Sequence, residues 1–187
     1  SCETVCHYID MPIQHGNDAV LKRMGRKSSQ ALIREKVARL RAAMPDIAIR
    51  TTLIVGFPGE TEEEFADLQS FVQEMKFDRL GVFSYSQEEG TVAAEMENQV
   101  PEDVKRDRMA KLLALQTEIS LEKNLPLVGR VLRVLAEGRS KANPDKFTGR
   151  TEGNKIVLFD GEDGMTGKFI QVKITKSAPF TLWGEVI

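Results

Sequence analysis

Apolar residues recur along this chain with two different periods, and the change falls near residue 127. Before that point, short β-branched runs alternate with stretches of three-to-four spacing. Residues 8–14 read as a short buried strand with Pro12 near its end. Asn17 or Asp18 then caps a short helix through Met24, and Ser28 or Ser29 opens a longer one. Its apolar positions Ile33, Val37, Leu40 and Met44 share one helical face, and Pro45 stops it. Residues 47–55 are nearly continuous in apolar character, which predicts a central parallel strand covered on both faces. Residues 56–60, Gly-Phe-Pro-Gly-Glu, predict a turn, and Thr61 with Glu64 predicts a capping box. The helix that follows carries Phe65, Leu68, Val72 and Met75 on one stripe, and residues 79–85 form the next strand. Residues 86–100 read as an acidic loop. Pro101 then starts a helix to about Asn124 with Met109, Leu112, Leu113 and Ile119 on one side, ended by Pro126.

After Leu127 the period becomes two. Leu132, Val134 and Ala136 share one face of residues 130–137. Ile170, Val172 and Ile174 face inward along residues 168–175, with Phe169, Gln171 and Lys173 outward. Residues 154–159 and 180–187 read as two more strands. Glycines at 138, 149, 153, 161, 164 and 167 punctuate the segment, so about five short strands in ~60 residues predict a small antiparallel barrel of OB-like size.

The order β, α, α, β, α, β in the first part predicts parallel βα units of a (β/α) barrel or an open sheet. Three strands cannot close a barrel. The expectation is therefore a fragment, with residues 1–126 the C-terminal part of an α/β domain and 127–187 a separate small barrel. An exposed sheet edge at the truncation could pair with another chain.

Composition narrows the function classes. The 187 residues carry a net charge of −2, so overall charge points to no nucleic-acid partner. Residues 127–187 nevertheless hold 10 Lys+Arg against 7 Asp+Glu, a mildly basic module on an acidic body. No apolar run is long enough to span a bilayer, and the first residues do not resemble a signal peptide. With two cysteines, both in the first six residues, a reducing cytoplasm is the expected compartment.

Candidate chemistry gathers at strand ends, where ligands of parallel α/β folds bind. Gly56 permits close backbone approach, and the helix after it offers free N–H groups. The plain alternative is a tight βα turn with Glu60 near the positive helix end. Gln14 and His15 follow the first strand, and His15 taken alone reads as a hydrogen-bonded loop histidine. Arg50 interrupts an apolar strand, so it should pair with a carboxylate of the chain or of a ligand. Phe83 and Tyr85 read as core or rim residues. Cys2 and Cys6 are spaced C-x3-C, but position 9 is Ile9, so the third ligand of a C-x3-C-x2-C cluster motif is missing and no metal site is expected.

Several long stretches carry a resemblance: residues 8–15 (Tyr-Ile-Asp-Met-Pro-Ile-Gln-His), residues 50–61 (Arg-Thr-Thr-Leu-Ile-Val-Gly-Phe-Pro-Gly-Glu-Thr), residues 78–86 (Asp-Arg-Leu-Gly-Val-Phe-Ser-Tyr-Ser) and residues 88–91. Together, from about residue 7 to 187, the chain resembles methylthiotransferases of the radical-SAM superfamily. The resemblance implies the last three βα units of a partial radical-SAM barrel, followed by a TRAM domain. It implies S-adenosylmethionine and 4Fe-4S clusters as cofactors, the cluster ligands lying outside this chain. In such enzymes one cluster cleaves S-adenosylmethionine reductively, the resulting radical abstracts a hydrogen, and a second cluster supports insertion of a methylthio group. By the same resemblance Ile54, Val55, Gly56 and Glu60 order the adenine site, Gln14 and Arg50 lie near the methionine and ribose, and Phe83 meets the adenine. No residue here is expected to be catalytic, and the isolated chain should be inactive.

Two substrate branches are implied. The α/β half, and residues 182–185 (Leu-Trp-Gly-Glu), resemble enzymes that modify an aspartate of a small-subunit ribosomal protein. Residues 140–145 and 148–155 are more similar to those that modify adenosine 37 of tRNA. Arg139, Lys141, Lys146, Arg150 and Lys155 are the expected RNA contacts. The ribosomal-protein branch is favoured because residues nearer the active site follow it. The expected partners are that protein or tRNA, and the N-terminal part of the same enzyme. A non-catalytic RNA-binding module and a plain α/β protein stand as the alternatives from other classes.

Overall fold

The computed structural model describes residues 5–187, so Cys2 lies outside the described residues. Two compact units result: residues 9–45 with 49–116, and residues 117–187 with 46–48 and the N-terminal residues through Tyr8.

The first unit is built on a three-stranded sheet in the order β1-β2-β3, with β1 Tyr8–Asp10, β2 Ala48–Val55 and β3 Arg79–Ser84. β2 and β3 run parallel, with Arg50 opposite Arg79, Thr52 opposite Gly81 and Ile54 opposite Phe83. The strand expected over residues 8–14 is interrupted at Pro12, which has no N–H to give to the ladder. Pairing resumes at Gln14, bridged to Leu53 with φ of +72°.

Helices α1 Asp18–Arg23, α2 Gln30–Ala43 and α3 Glu62–Met75 start where their caps predict. Asn17 accepts from the Ala19 N–H, Ser29 from the Leu32 N–H, and Thr61 with Glu64 forms the reciprocal box. Phe65, Leu68, Phe71, Val72 and Met75 of α3 are buried, as are Ile33 and Val37 of α2. With Ile49, Leu53 and Val55 they form the core on one face of the sheet. The expectation that β2 is covered on both faces is not met. Arg50, Thr52 and Ile54 alternate with the buried residues, are only half-buried, and lie on a face that no described element covers fully. The acidic loop holds one short helix, α4 Val92–Glu95.

α5 spans Glu102–Asn124. Its buried face differs from the one the apolar spacing predicts. Leu112 and Ile119 are buried, but Leu113 is exposed, and the remaining buried positions are Lys105, Arg108, Gln116, Ser120 and Asn124. They share a face at three-to-four spacing, so the helix packs mainly through polar groups with partners. Gln116 Nε2 donates to the Phe77 carbonyl at 3.0 Å.

The second unit holds a closed barrel in the order β4-β5-β6-β8-β7. Its strands are β4 Val131–Arg139, β5 Phe147–Thr151, β6 Ile156–Phe159, β7 Phe169–Ser177 and β8 Thr181–Val186. All neighbouring pairs are antiparallel except β6 with β8, which is parallel, so the wholly antiparallel barrel expected from the pattern is corrected at one seam. Val134, Ala136, Phe147, Val157, Phe159, Val172, Ile174 and Leu182 fill the interior. Asn124 fastens the end of α5 to this unit. Its Nδ2 donates to the carbonyls of Ala178 and Pro179 at 2.8 and 3.0 Å, and its Oδ1 accepts from Lys155 Nζ at 2.7 Å. Among the described residues no helix is long and apolar enough to cross a membrane.

Candidate functional site

The rim expected from the sequence resolves into two places. The first is the uncovered sheet face. Side chains alternate along a strand, so Arg50, Thr52 and Ile54 share this face with Arg79, Gly81 and Phe83 of the paired strand. Phe83 is 58% exposed. Gly81 leaves a methyl-sized gap between them: a methyl built there would lie 3.4 Å from the Phe83 ring, 3.7 Å from Thr52 Oγ1 and 3.9 Å from an Arg50 Nη. Phe83 and Ile54 thus present apolar surface beside the Arg50 guanidinium and the Thr52 hydroxyl. Arg50 is paired, as its position in an apolar strand demands, with Asp10 of β1. Arg50 sits five residues before the end of β2, about 16 Å along the strand, so it lies at the lower edge of the face rather than at its rim.

The second place is the corner, and it is closed. Gly56 has φ of +71°, and a methyl on it would fall 2.3 Å from Lys105 Cγ. Lys105 is buried, with Nζ 2.6 Å from Glu102 and 5.3 Å above the Tyr85 ring, which packs edge-on against Phe57. Glu60 points inward. Its Oε2 accepts from the Gly56 N–H at 2.8 Å, and its Oε1 accepts from Arg108 Nη1 at 2.9 Å. His15 Nε2 lies 3.5 Å from Oε2, and both side chains are fully buried. Arg108 Nη1 also donates to the Glu60 carbonyl at 3.0 Å. Arg23 Nη2 donates to the Gly59 carbonyl at 3.2 Å, and Arg23 Nη1 donates to Glu64 Oε1 at 2.8 Å, the hydrogen bond that holds the Glu64 carboxyl below its ordinary value.

Of the residues singled out for a nucleoside, Arg50, Ile54 and Phe83 are brought together on the uncovered face, and Gln14 pairs beside Leu53. Val55 is fully buried on the opposite face, and Gly56 and Glu60 form the closed corner rather than an exposed cradle. Sequence reasoning did not single out Arg108 or Lys105, because charged residues on a long helix read as its solvated side. The signal available was their three-residue spacing in line with Leu112.

On the barrel, four of the five basic residues expected to contact RNA have internal partners. Arg139 pairs with Asp163 at 3.0 Å, Lys146 with Asp160 at 2.8 Å, Arg150 with Glu137 at 3.1 Å, and Lys155 is held by Asn124. Lys141 is exposed in the turn before β5. Arg133, not foreseen, stacks 3.9 Å over the exposed Phe169 ring.

Among the described residues no group of three His, Cys, Asp or Glu could hold a metal ion, and Cys6 is a free, exposed thiol. Among the described residues, then, no cluster-ligating set is assembled.

Residues 2–72 match the family described as the Radical SAM superfamily, and residues 127–187 match the TRAM domain. The ribosomal protein uS12 methylthiotransferase RimO of Geobacter sulfurreducens is 49% identical over 98% of this chain and 42% of its own length. The enzyme of the same name from Pelotomaculum thermopropionicum is 48% identical over 98% and 43%. The tRNA-2-methylthio-N(6)-dimethylallyladenosine synthase of Acetivibrio thermocellus is 44% identical over 100% and 39%. The chain thus spans about two fifths of the length of these relatives. Among solved structures, the radical SAM enzyme coproporphyrinogen III oxidase (HemN) of Escherichia coli aligns with a TM-score of 0.53 and 17% identity, over 78% of this chain and 41% of that one, a likeness of fold.

Proposed function

We propose that this chain, which matches the Radical SAM superfamily over residues 2–72 and the TRAM domain over residues 127–187, is the C-terminal part of a methylthiotransferase acting on ribosomal protein uS12. The observation that carries this reading is the uncovered face of β2 and β3, where Ile54, Gly81 and Phe83 offer a flat apolar seat beside Arg50 and Thr52. Phe83 stacks on an adenine and Ile54 packs against it, and the missing side chain at Gly81 keeps that face flat. Arg50, oriented by Asp10, faces a carboxylate or ribose oxygen, and Gln14 lies alongside. S-adenosylmethionine, when bound, supplies the radical chemistry of the superfamily, with its cluster held by residues beyond those described. On this reading residues 1–126 complete a barrel contributed mainly by preceding sequence, residues 127–187 dock the substrate, and the chain alone is inactive.

Calorimetry of the full-length enzyme with S-adenosylhomocysteine tests the site. Arg50→Ala and Phe83→Ala are each expected to weaken binding by about tenfold, the equivalent of ~1.4 kcal/mol. Unchanged affinity in both rejects the site. The second reading, a tRNA substrate, is supported by the 44% identity to a tRNA-modifying relative. Mass spectrometry of uS12 and of tRNA after incubation with the reconstituted enzyme separates the two. A mass increase on tRNA alone removes the uS12 reading.

A further inference from the structure

The buried corner contains a group that the proposed nucleoside site does not use directly. His15 Nδ1 accepts the Asn17 backbone N–H at 2.9 Å, so that nitrogen is unprotonated and the ring proton sits on Nε2. Nε2 is fully buried, has no hydrogen-bond partner among the described residues, and faces Glu60 Oε2 at 3.5 Å. A desolvated ring N–H 3.5 Å from a desolvated carboxylate is an electrostatic contact, longer than a good hydrogen bond.

The contact joins two strand ends. His15 follows Gln14, whose N–H and carbonyl pair with Thr52 and Ile54 at 2.9 and 2.8 Å. Glu60 holds the N–H of Gly56, two residues past Ile54, and Arg108 anchors the other carboxylate oxygen from α5. A shift of Glu60 therefore moves the backbone that carries Ile54 and the backbone that carries Gln14 together.

We propose that His15 and Arg108 are positioning residues that set the Gly56–Glu60 corner for the nucleoside seat, His15 acting through the proton on Nε2. This inference rests on the nucleoside reading of the sheet face. It predicts that what matters at position 15 is the donor toward Glu60, not the acceptor toward Asn17.

Two variants separate those roles. Asn at position 15 places an oxygen near the Nδ1 position and keeps the loop acceptor. Gln at position 15 extends an amide N–H toward the Nε2 position and keeps the donor. In calorimetry of the full-length, cluster-reconstituted enzyme with S-adenosylhomocysteine, His15→Gln should stay within about threefold of wild type. His15→Asn and Arg108→Met should each bind about tenfold more weakly, at the low end of what a hydrogen bond to a charged group contributes. Equal affinity of the two His15 variants, or His15→Asn binding better than His15→Gln, overturns the proposal. Absence of binding by wild type would instead sink the nucleoside reading, and this inference with it. If the variants do not fold, nitrogen NMR of wild-type protein labelled at histidine decides the tautomer. The His15 signal is assigned by its ring's proximity to the Asn17 amide, which lies 2.9 Å from Nδ1. A proton found on Nδ1 of His15 overturns the proposal.

Discussion

Gly56→Ala should destabilise the first unit through two separable effects. A side chain at φ of +71° sits in the left-handed region, at roughly 1–2 kcal/mol for a non-glycine residue. The new methyl would also lie 2.3 Å from Lys105 Cγ, well inside contact distance. Lys105 cannot simply swing away. It is 3% exposed and held between Glu102 and the Tyr85 ring. Displacing it resembles overpacking a core, about 1–3 kcal/mol. The sum is about 2–5 kcal/mol, read as a fall in the midpoint of urea unfolding followed by Phe and Tyr absorbance or far-ultraviolet circular dichroism. The double variant Gly56→Ala/Lys105→Ala removes the clash but not the dihedral penalty. Its loss should therefore be smaller than the sum of the two single losses, with a coupling of about 1–3 kcal/mol. Strict additivity would refute the placement of Lys105 against the corner. A Gly56→Ala midpoint equal to wild type would refute the whole account.

Three further outcomes follow from other contacts. Arg23 holds the Glu64 carboxyl below its ordinary value, so the folded state takes up that proton only at lower pH than the unfolded chain does. The bridge therefore contributes stability above the usual carboxylate range and loses it as pH falls. The stability gap between wild type and Arg23→Met should narrow between about pH 5 and pH 2 in acid-unfolding curves, and a gap independent of pH would contradict this. Asn124→Ala removes the donor to two half-buried carbonyls and the acceptor for Lys155, at about 1–3 kcal/mol, and an unchanged thermal midpoint would count against that fastening. If RNA binds the barrel, Lys141→Ala should lower the slope of log affinity against log salt by about 1. Lys146→Ala should lower that slope less, because its ammonium is already paired with Asp160 at 2.8 Å, and an equal fall in both refutes the distinction.

The elements were legible wherever local chemistry alone decides them. Asn17 or Asp18, Ser28 or Ser29, and Thr61 with Glu64 marked helix starts that the structure makes at Asn17, Ser29 and Thr61, and the alternation around Val172 gave an inward face that is the barrel core. What could not be read was set by long-range partners. Apolar spacing put Leu113 inside α5, yet Arg108 is inside because Glu60, 48 residues away, needs a cation. The run from 47 to 55 looked doubly covered because Ile54 and Thr52 are as apolar or β-branched as the buried Leu53 and Val55. Only the pleat separates them. At the candidate site, Arg50 was recognisable as a residue needing a carboxylate, and Asp10 supplies it. That Glu60 turns inward was not recognisable, because a glutamate before a helix reads equally as a dipole partner.

The parallel seam between β6 and β8 has a consequence for how the molecule breathes. With that seam made, every strand of the barrel has a neighbour on both sides, so none can peel off alone, and its amides surrender their hydrogens only when the ring opens as a whole. Among the described residues, the sheet of β1, β2 and β3 has two outer strands that can fray one at a time. One polypeptide thus carries a region that keeps isotopic memory for as long as it stays folded, and another that forgets strand by strand.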